Sequence, residues 1–219
     1  DPGEILLLEN LRFYKQEEDN NQAFAVSLSQ LGDYYVNEAF SVSHRAHAST
    51  ESLPQLIPAV AGFLLEKEIF ELGRILKSPS KPLSIVMGGA KVSDKMNLMK
   101  KLVPLSENIL VGGGMAAAFL SASGHNIGIS MIESNGKILA TEIIAIAKSN
   151  QTNLLVPEDV VISNNAGNAE FFRTTEANSI PEDQMIVDIG PKTISNFSKV
   201  LETSNTILWN GPMGIFEIH

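Results

Sequence analysis

The sequence predicts an α/β fold whose main part is a parallel sheet covered by helices on both faces, three layers in all. Part of a second α/β unit and a long connecting helix precede it. Three observations carry this prediction. From Leu83 onward, short continuous apolar runs alternate with amphipathic stretches, as strands buried on both faces alternate with the helices that cover them. The glycine clusters Gly88-Gly89, Gly112 to Gly114, and Gly211 with Gly214 each follow such a run, at the strand end where open α/β sheets bind ligands. The stretch "SPSKP" (Ser78 to Pro82) reads as a linker that sets this regular region apart from the helical pattern before it.

Taken in order, Ile5 to Leu8 is a continuous apolar run and predicts a buried strand. Phe24, Leu28 and Leu31 recur at helical spacing, Gly32 closes that helix, and Tyr34 to Val36 predicts a second strand. "NEAFSVSHRAHASTES" holds too many small polar residues to be core. Pro58 suits the first turn of a helix, and "AVAGFLLEKEIFELGRILK" keeps helical periodicity after it. Beyond the linker the expected elements are strand Leu83 to Met87, helix Val92 to Leu102, strand Asn108 to Val111 and helix Met115 to Ala122. Then come helix Lys137 to Lys148, strands Leu154 to Val156, Val160 to Ile162 and Met185 to Asp188, helix Thr193 to Glu202 and strand Thr206 to Trp209.

Composition narrows the function classes. The hydrophobic share of 44% is ample for a core, and no apolar run approaches the roughly 20 residues of a membrane span. A net charge of −9 argues against a broad nucleic-acid surface but leaves room for local anion sites. The absence of cysteine excludes disulfides, thiolate metal sites and cysteine nucleophiles, and it fits a reducing compartment. The chain begins at Asp1 without a leader-like stretch, and it reads as a piece of something longer.

The motifs point to phosphate. "IVMGGAKVSDK" has the order strand, glycine turn, helix, in which backbone N–H groups converge on an anion, but not the spacing of a P-loop. Lys91 and Lys95 stand four apart, so the spacing puts both on one helix face at the mouth of that loop. "GGGMAA" satisfies G-x-G-x-x-A, with Glu133 where a ribose-binding acid would lie, which keeps an NAD-dependent dehydrogenase open. "SHRAHAS" lacks a third metal ligand at recognisable spacing, so His44 and His47 predict no metal site, and Arg45 suits an anion instead. Arg12 follows the run "ILLLENL" at a strand's carboxyl end. "WNGPMGIFE" predicts a turn that could line a base or ribose, with Glu217 accepting from a sugar hydroxyl.

Together "LLLENLRF", "YVNEAF", "HRAHAS", "AGFLLEKE", "GGAKVSDK", "GGGMA" and "WNGPMGIFE" resemble the phosphoglycerate kinase family, in that family's order, from about Ile5 to Glu217. The resemblance implies a Rossmann-like nucleotide domain over residues 78–219, an interdomain hinge helix over 58–77 and a partial triose-phosphate-binding domain over 1–57. It implies reversible phosphoryl transfer between 1,3-bisphosphoglycerate with ADP and 3-phosphoglycerate with ATP in glycolysis, magnesium arriving with the nucleotide. Arg12 and Arg45 would bind the triose phosphate, and Lys91 with Arg45 would be catalytic. Gly89, Ala90, Lys91, Lys95, Gly113, Gly114, Met131, Asn210, Pro212, Gly214 and Glu217 would bind the nucleotide. The parent would be a cytoplasmic monomer with no nucleic-acid or membrane partner. The family's segments before Asp1 and after His219 are expected to be missing, among them the acid that binds magnesium, so the chain alone is expected to be inactive. Val42, Ala166 and Glu38 depart from the family pattern. A nucleotide-binding module without transfer activity is the alternative from another class.

Overall fold

A computed structural model describes residues 3–165 and 172–217; Ala166 therefore lies outside the described residues. The chain divides into two compact units, Asp1–Arg74 and Ile75–His219. Among the described residues no helix is long and apolar enough to cross a membrane.

The first unit is built from short pieces. After a 3-10 turn at Leu11–Phe13 come α1 (Lys15–Glu18) and α2 (Gln22–Ser29), the latter capped by Asn21, whose side chain accepts the Phe24 N–H at 3.0 Å. Strands β1 (Tyr35–Asn37) and β2 (Ala59–Ala61) pair in parallel, with Tyr35 opposite Ala59. Next is α3 (Phe63–Lys77), which runs through the division between the units. The Glu38 carboxylate accepts the Leu64 and Leu65 N–H groups at 2.8 and 3.1 Å and so closes the amino end of α3.

Three expectations fail in this unit. Ile5 to Leu8 forms no strand among the described residues, and Ile5 and Leu7 are 96% and 93% exposed. An apolar run becomes a strand only where a neighbour offers a ladder. The residues after Pro58 form β2 rather than a first helical turn. The Pro58 carbonyl accepts the Tyr35 N–H at 2.8 Å, which commits the chain to pairing with β1 and delays the helix to Phe63. Finally, the small polar stretch is partly core. Ala48, Ser52 and His47 are buried, and the buried Glu17 carboxylate accepts from the Ser49 N–H at 3.0 Å and the Ser49 hydroxyl at 2.5 Å.

The second unit carries the parallel sheet. Strands β3 (Leu83–Met87), β4 (Asn108–Val111), β5 (Asn153–Leu155) and β9 (Thr206–Asn210) lie in the order β5-β4-β3-β9, all parallel. Leu83, Ile85, Met87, Ile109 and Val111 face α4 (Met96–Leu102), α5 (Gly113–Ala122) and α6 (Gly136–Ser149). Val86 and Leu110 face the other way, toward Phe197 of α7 (Pro191–Glu202). Continuous apolar strands thus feed two cores, the three layers that the sequence predicts.

The remaining strands depart from that pattern. β6 (Asp159–Ser163) pairs antiparallel with both β7 (Arg173–Glu176) and β8 (Met185–Ile189) in a separate sheet, whereas the sequence placed Val160 to Ile162 and Met185 to Asp188 in the parallel one. The apolar side chains of β6 turn to Leu120, Ala177 and Ile180, a small core of their own. β6 also anchors α7. The Asp159 carboxylate accepts the Lys192 and Thr193 N–H groups at 3.0 and 2.7 Å, and the Thr193 hydroxyl at 2.7 Å. Despite burial, these donors hold the Asp159 carboxyl below its ordinary value.

Candidate functional site: a cleft over three glycine turns

The carboxyl ends of β3, β4 and β9 lie side by side because the strands are neighbours in register, Met87 opposite both Val111 and Asn210. The three turns that follow are bonded to one another. Gly88 N–H donates to the Asn210 carbonyl at 2.9 Å, Gly89 N–H to Pro212 at 3.0 Å, Gly113 N–H to Met213 at 2.6 Å, and Met115 N–H to Gly89 at 2.9 Å. This closeness requires glycine at Gly113, where φ is +63° and a Cβ would stand 2.7 Å from the Pro212 carbonyl oxygen. The third turn is pinned again from its strand: the Trp209 indole N–H donates to the Gly211 carbonyl at 2.8 Å.

The N–H groups of Gly88, Gly89 and Gly113 therefore join the turns together instead of pointing at a ligand. The N–H groups of Ala90, Lys91 and Gly114 remain without a protein acceptor among the described residues. They are available to an anion at the start of α5.

Above the turns is a cavity of about 520 Å³. That lies within the roughly 300–1,000 Å³ range of small-molecule sites. The three turns contribute Gly89, Ala90, Lys91, Gly113, Gly114, Pro212 and Gly214 to its lining, and Met131, Glu133 and Glu217 line it as well. β8 supplies part of its wall, through Met185, Ile186 and Val187, and Val187 receives the Ile215 N–H at 2.9 Å. The sequence signals no role for these β8 residues or for Ser130, Ile132, Ile215 and Phe216, because nothing local marks an apolar strand residue as cleft wall.

Lys95 and Asn210 do not line the cavity; the Lys95 ammonium donates to the Asn210 side-chain oxygen. The shared helix face expected for the two lysines is absent. Lys91 precedes the 3-10 turn Ser93–Lys95, α4 begins only at Met96, and among the described residues only the Lys95 ammonium of the two is bonded, to Asn210. Glu133 lines the cavity, and its carboxylate accepts the Ser93 N–H at 2.7 Å. That hydrogen bond, against some desolvation and with Lys91 nearby, holds Glu133 below the usual carboxylate range.

Arg12 and Arg45 belong to the first unit. Both are exposed, and neither guanidinium has a carboxylate partner among the described residues. Arg45 is fixed through its backbone, its carbonyl accepting the Thr50 hydroxyl at 2.7 Å. His44 is exposed, whereas His47 is buried with its ring Nδ1 3.8 Å from Glu17. The two histidines therefore do not share a site.

Residues 1–219 match the family model for phosphoglycerate kinase. The chain belongs to the phosphoglycerate kinase family. It is 45% identical over 216 residues to a phosphoglycerate kinase of Pelotomaculum thermopropionicum and 44% identical over 217 residues to one of Moorella thermoacetica. Each comparison covers 99% of this chain and 55% of the relative, so the chain spans about half the length of the curated relatives it matches. Among solved structures, the phosphoglycerate kinase of Coxiella burnetii superposes with a TM-score of 0.78 at 36% identity, covering 96% of this chain and 54% of that one. The enzyme from Pyrococcus horikoshii gives 0.75 at 30% identity, covering 98% and 56%. The Rossmann-like α/β fold of the second unit is that of the family. Family membership also removes the ground for the dehydrogenase reading of "GGGMAA".

Proposed function

We propose that this chain carries the nucleotide half, and part of the triose-phosphate half, of a phosphoglycerate kinase. The reaction is the reversible transfer of a phosphoryl group between 1,3-bisphosphoglycerate with ADP and 3-phosphoglycerate with ATP, a step of glycolysis. The observation that supports it best is the single cleft over three joined glycine turns, with Lys91 and Glu217 both in its lining. In this reading residues 1–57 bind the triose phosphate, 58–77 include the hinge helix and 78–219 bind the nucleotide. The whole protein is read as a cytoplasmic monomer.

Phosphoryl transfer asks mainly for positioning and for neutralisation of charge on the moving group. Lys91 supplies the charge, since it faces the cavity and has no ion-pair partner within 4.0 Å among the described residues. The N–H groups of Ala90, Lys91 and Gly114 supply donors to phosphate oxygens. Lys95, outside the cavity lining, contributes through Asn210, to whose side chain its ammonium is bonded. Met131 and Pro212 offer apolar surface to the base, and Glu217 accepts from ribose beside Gly214. Arg12 and Arg45 hold the second substrate, with Arg45 next to the group transferred.

Magnesium would arrive on the nucleotide phosphates and add positive charge there. Among the described residues no group of three or more His, Asp or Glu side chains gathers to hold a divalent ion, and no step here runs through it.

Titration calorimetry with ADP tests the reading. The chain is expected to bind ADP, and Lys91→Ala to weaken binding about tenfold or more, as befits a charge-assisted phosphate contact of about 1.5–3 kcal/mol. ATP formation from 1,3-bisphosphoglycerate and ADP by the purified chain alone is expected to be negligible. Binding of NAD in place of ADP, or of no nucleotide, overturns the reading; turnover at the rate of a full-length enzyme overturns the expectation of inactivity.

A further inference from the structure

Glu133 has no role in the reading above. It lies on the cavity wall, and its carboxylate takes the Ser93 N–H across 40 positions of sequence. Ser93 opens the 3-10 turn that leads into α4, and the residue before it, Val92, offers no side-chain cap. Glu133 caps that start from a distant segment. A carboxylate suits the place, because helix starts carry unpaired N–H groups and favour negative charge. Glu133 is itself held in place. Gly136 N–H, at the head of α6, donates to its carbonyl at 2.8 Å, and a Cβ on Gly136 would stand 3.0 Å from its Cγ.

Lys91 is two residues before Ser93 on the same loop and lines the same cavity. Its ammonium is beyond ion-pair distance of Glu133, yet its field reaches the carboxylate and favours the ionised form. The loop is therefore tied at Ser93 by a side chain of the cavity wall that Lys91 also lines.

We infer that Glu133 is the positioning residue of the Lys91 loop: its hydrogen bond to Ser93 sets the loop's course, while its charge, on the wall of the same cavity, opposes an incoming phosphate. The inference rests on the nucleotide reading of the cleft. The two actions affect nucleotide binding with opposite sign. As a cap, Glu133 preorganises the loop and favours binding; as an anion beside the phosphate site, it repels the ligand. Glu133→Gln separates them, since the amide oxygen still accepts from Ser93 while the charge is gone.

The test compares wild type, E133Q and E133A by calorimetry with ADP and with adenosine, alongside amide exchange at Ser93. E133Q is expected to bind ADP about two- to fivefold more tightly than wild type at low salt, the scale of one exposed charge interaction. Adenosine affinity should stay unchanged, and the gain should vanish at 1 M salt, where the screening length is about 3 Å. E133A is expected to bind ADP more weakly than E133Q. The Ser93 amide should exchange slowly in wild type and E133Q and quickly in E133A. The same charge change at Glu142, which pairs with Lys100 at 2.5 Å, should leave ADP affinity at the wild-type value. ADP affinity unchanged or lowered in E133Q overturns the inference alone. Failure of the wild-type chain to bind ADP overturns the nucleotide reading with it, and equal Ser93 exchange in wild type and E133A overturns the cap whether or not nucleotide binds.

Discussion

In the second unit β3 buries every one of its side chains between two layers of helix, with Phe119 and Ile143 fully enclosed beneath it. Among the described residues of the first unit the buried side chains are mostly small or polar, Ala25, Ala48, Ser52, Glu17 and His47, with Leu53 and Leu65 the largest apolar ones. What joins that unit is a mesh of hydrogen bonds, Glu17 to Ser49, Asn20 to Glu51, Gln22 to Ser52 and Glu38 to the head of α3. Apolar burial scales with area and tolerates small displacements, whereas a hydrogen bond stabilises only while its geometry holds. The comparison teaches that one chain can have a self-sufficient half and a half whose stability depends on polar detail.

The sharpest test is in the core. Phe119→Ala is expected to cost the second unit about 3–5 kcal/mol, while Phe70→Ala, on an exposed side chain of α3, should stay within about 0.5 kcal/mol. Urea unfolding followed by circular dichroism reads both, and similar losses would erase the contrast. Next in size is Glu17→Ala, which strands two Ser49 donors in a buried place and should cost the first unit about 1–3 kcal/mol. Amide exchange in wild type should show residues 3–57 opening before residues 83–217; uniform protection would mean the polar mesh holds as well as the core.

Smaller effects come from two aspartates of the second unit whose carboxyls move in opposite directions. Asp159 is held low, so its contribution is complete above its unfolded pKa and is lost as pH falls through its lower folded value. Asp188 is pushed up by burial, against the hydrogen bond from Ile189, so its neutral form is favoured and stability falls as pH rises through its folded value. Asp159→Asn should therefore destabilise α7 by about 0.5–2 kcal/mol at neutral pH, as loss of a cap does. Asp188→Asn should be neutral or slightly stabilising there, and the reverse ranking in thermal melts would contradict both signs. A further small effect is expected at the division itself: Arg74→Ala breaks an exposed pair with Glu71 and should cost under about 1 kcal/mol.

The second unit was the more legible half in sequence for the same reason that it is the better packed. Leu83 to Met87 and Asn108 to Val111 announce buried strands because both faces are covered, and burial on both faces leaves an unbroken apolar run. Ile5 to Leu8 carries the same signal without a neighbour to pair with, and Pro58 carries a helix signal that a ladder with Tyr35 overrides. Which sheet β6 and β8 would join was not legible, since antiparallel partners leave no mark on a short apolar run. At the site, the glycine turns and Lys91 were visible as local motifs. Hydrogen bonds between distant segments, such as Lys95 to Asn210 or Glu133 to Ser93, have no local signature.

Trp209 is the only tryptophan of the chain and remains 59% exposed beside the third glycine turn, to which its indole is hydrogen-bonded. The molecule thus carries its own fluorophore on the backbone segment that a ligand would stiffen. Emission excited selectively at the indole reports the state of that turn without a label and with no background from other tryptophans. Its colour and quenching should track the water that an occupied cleft leaves around Gly211.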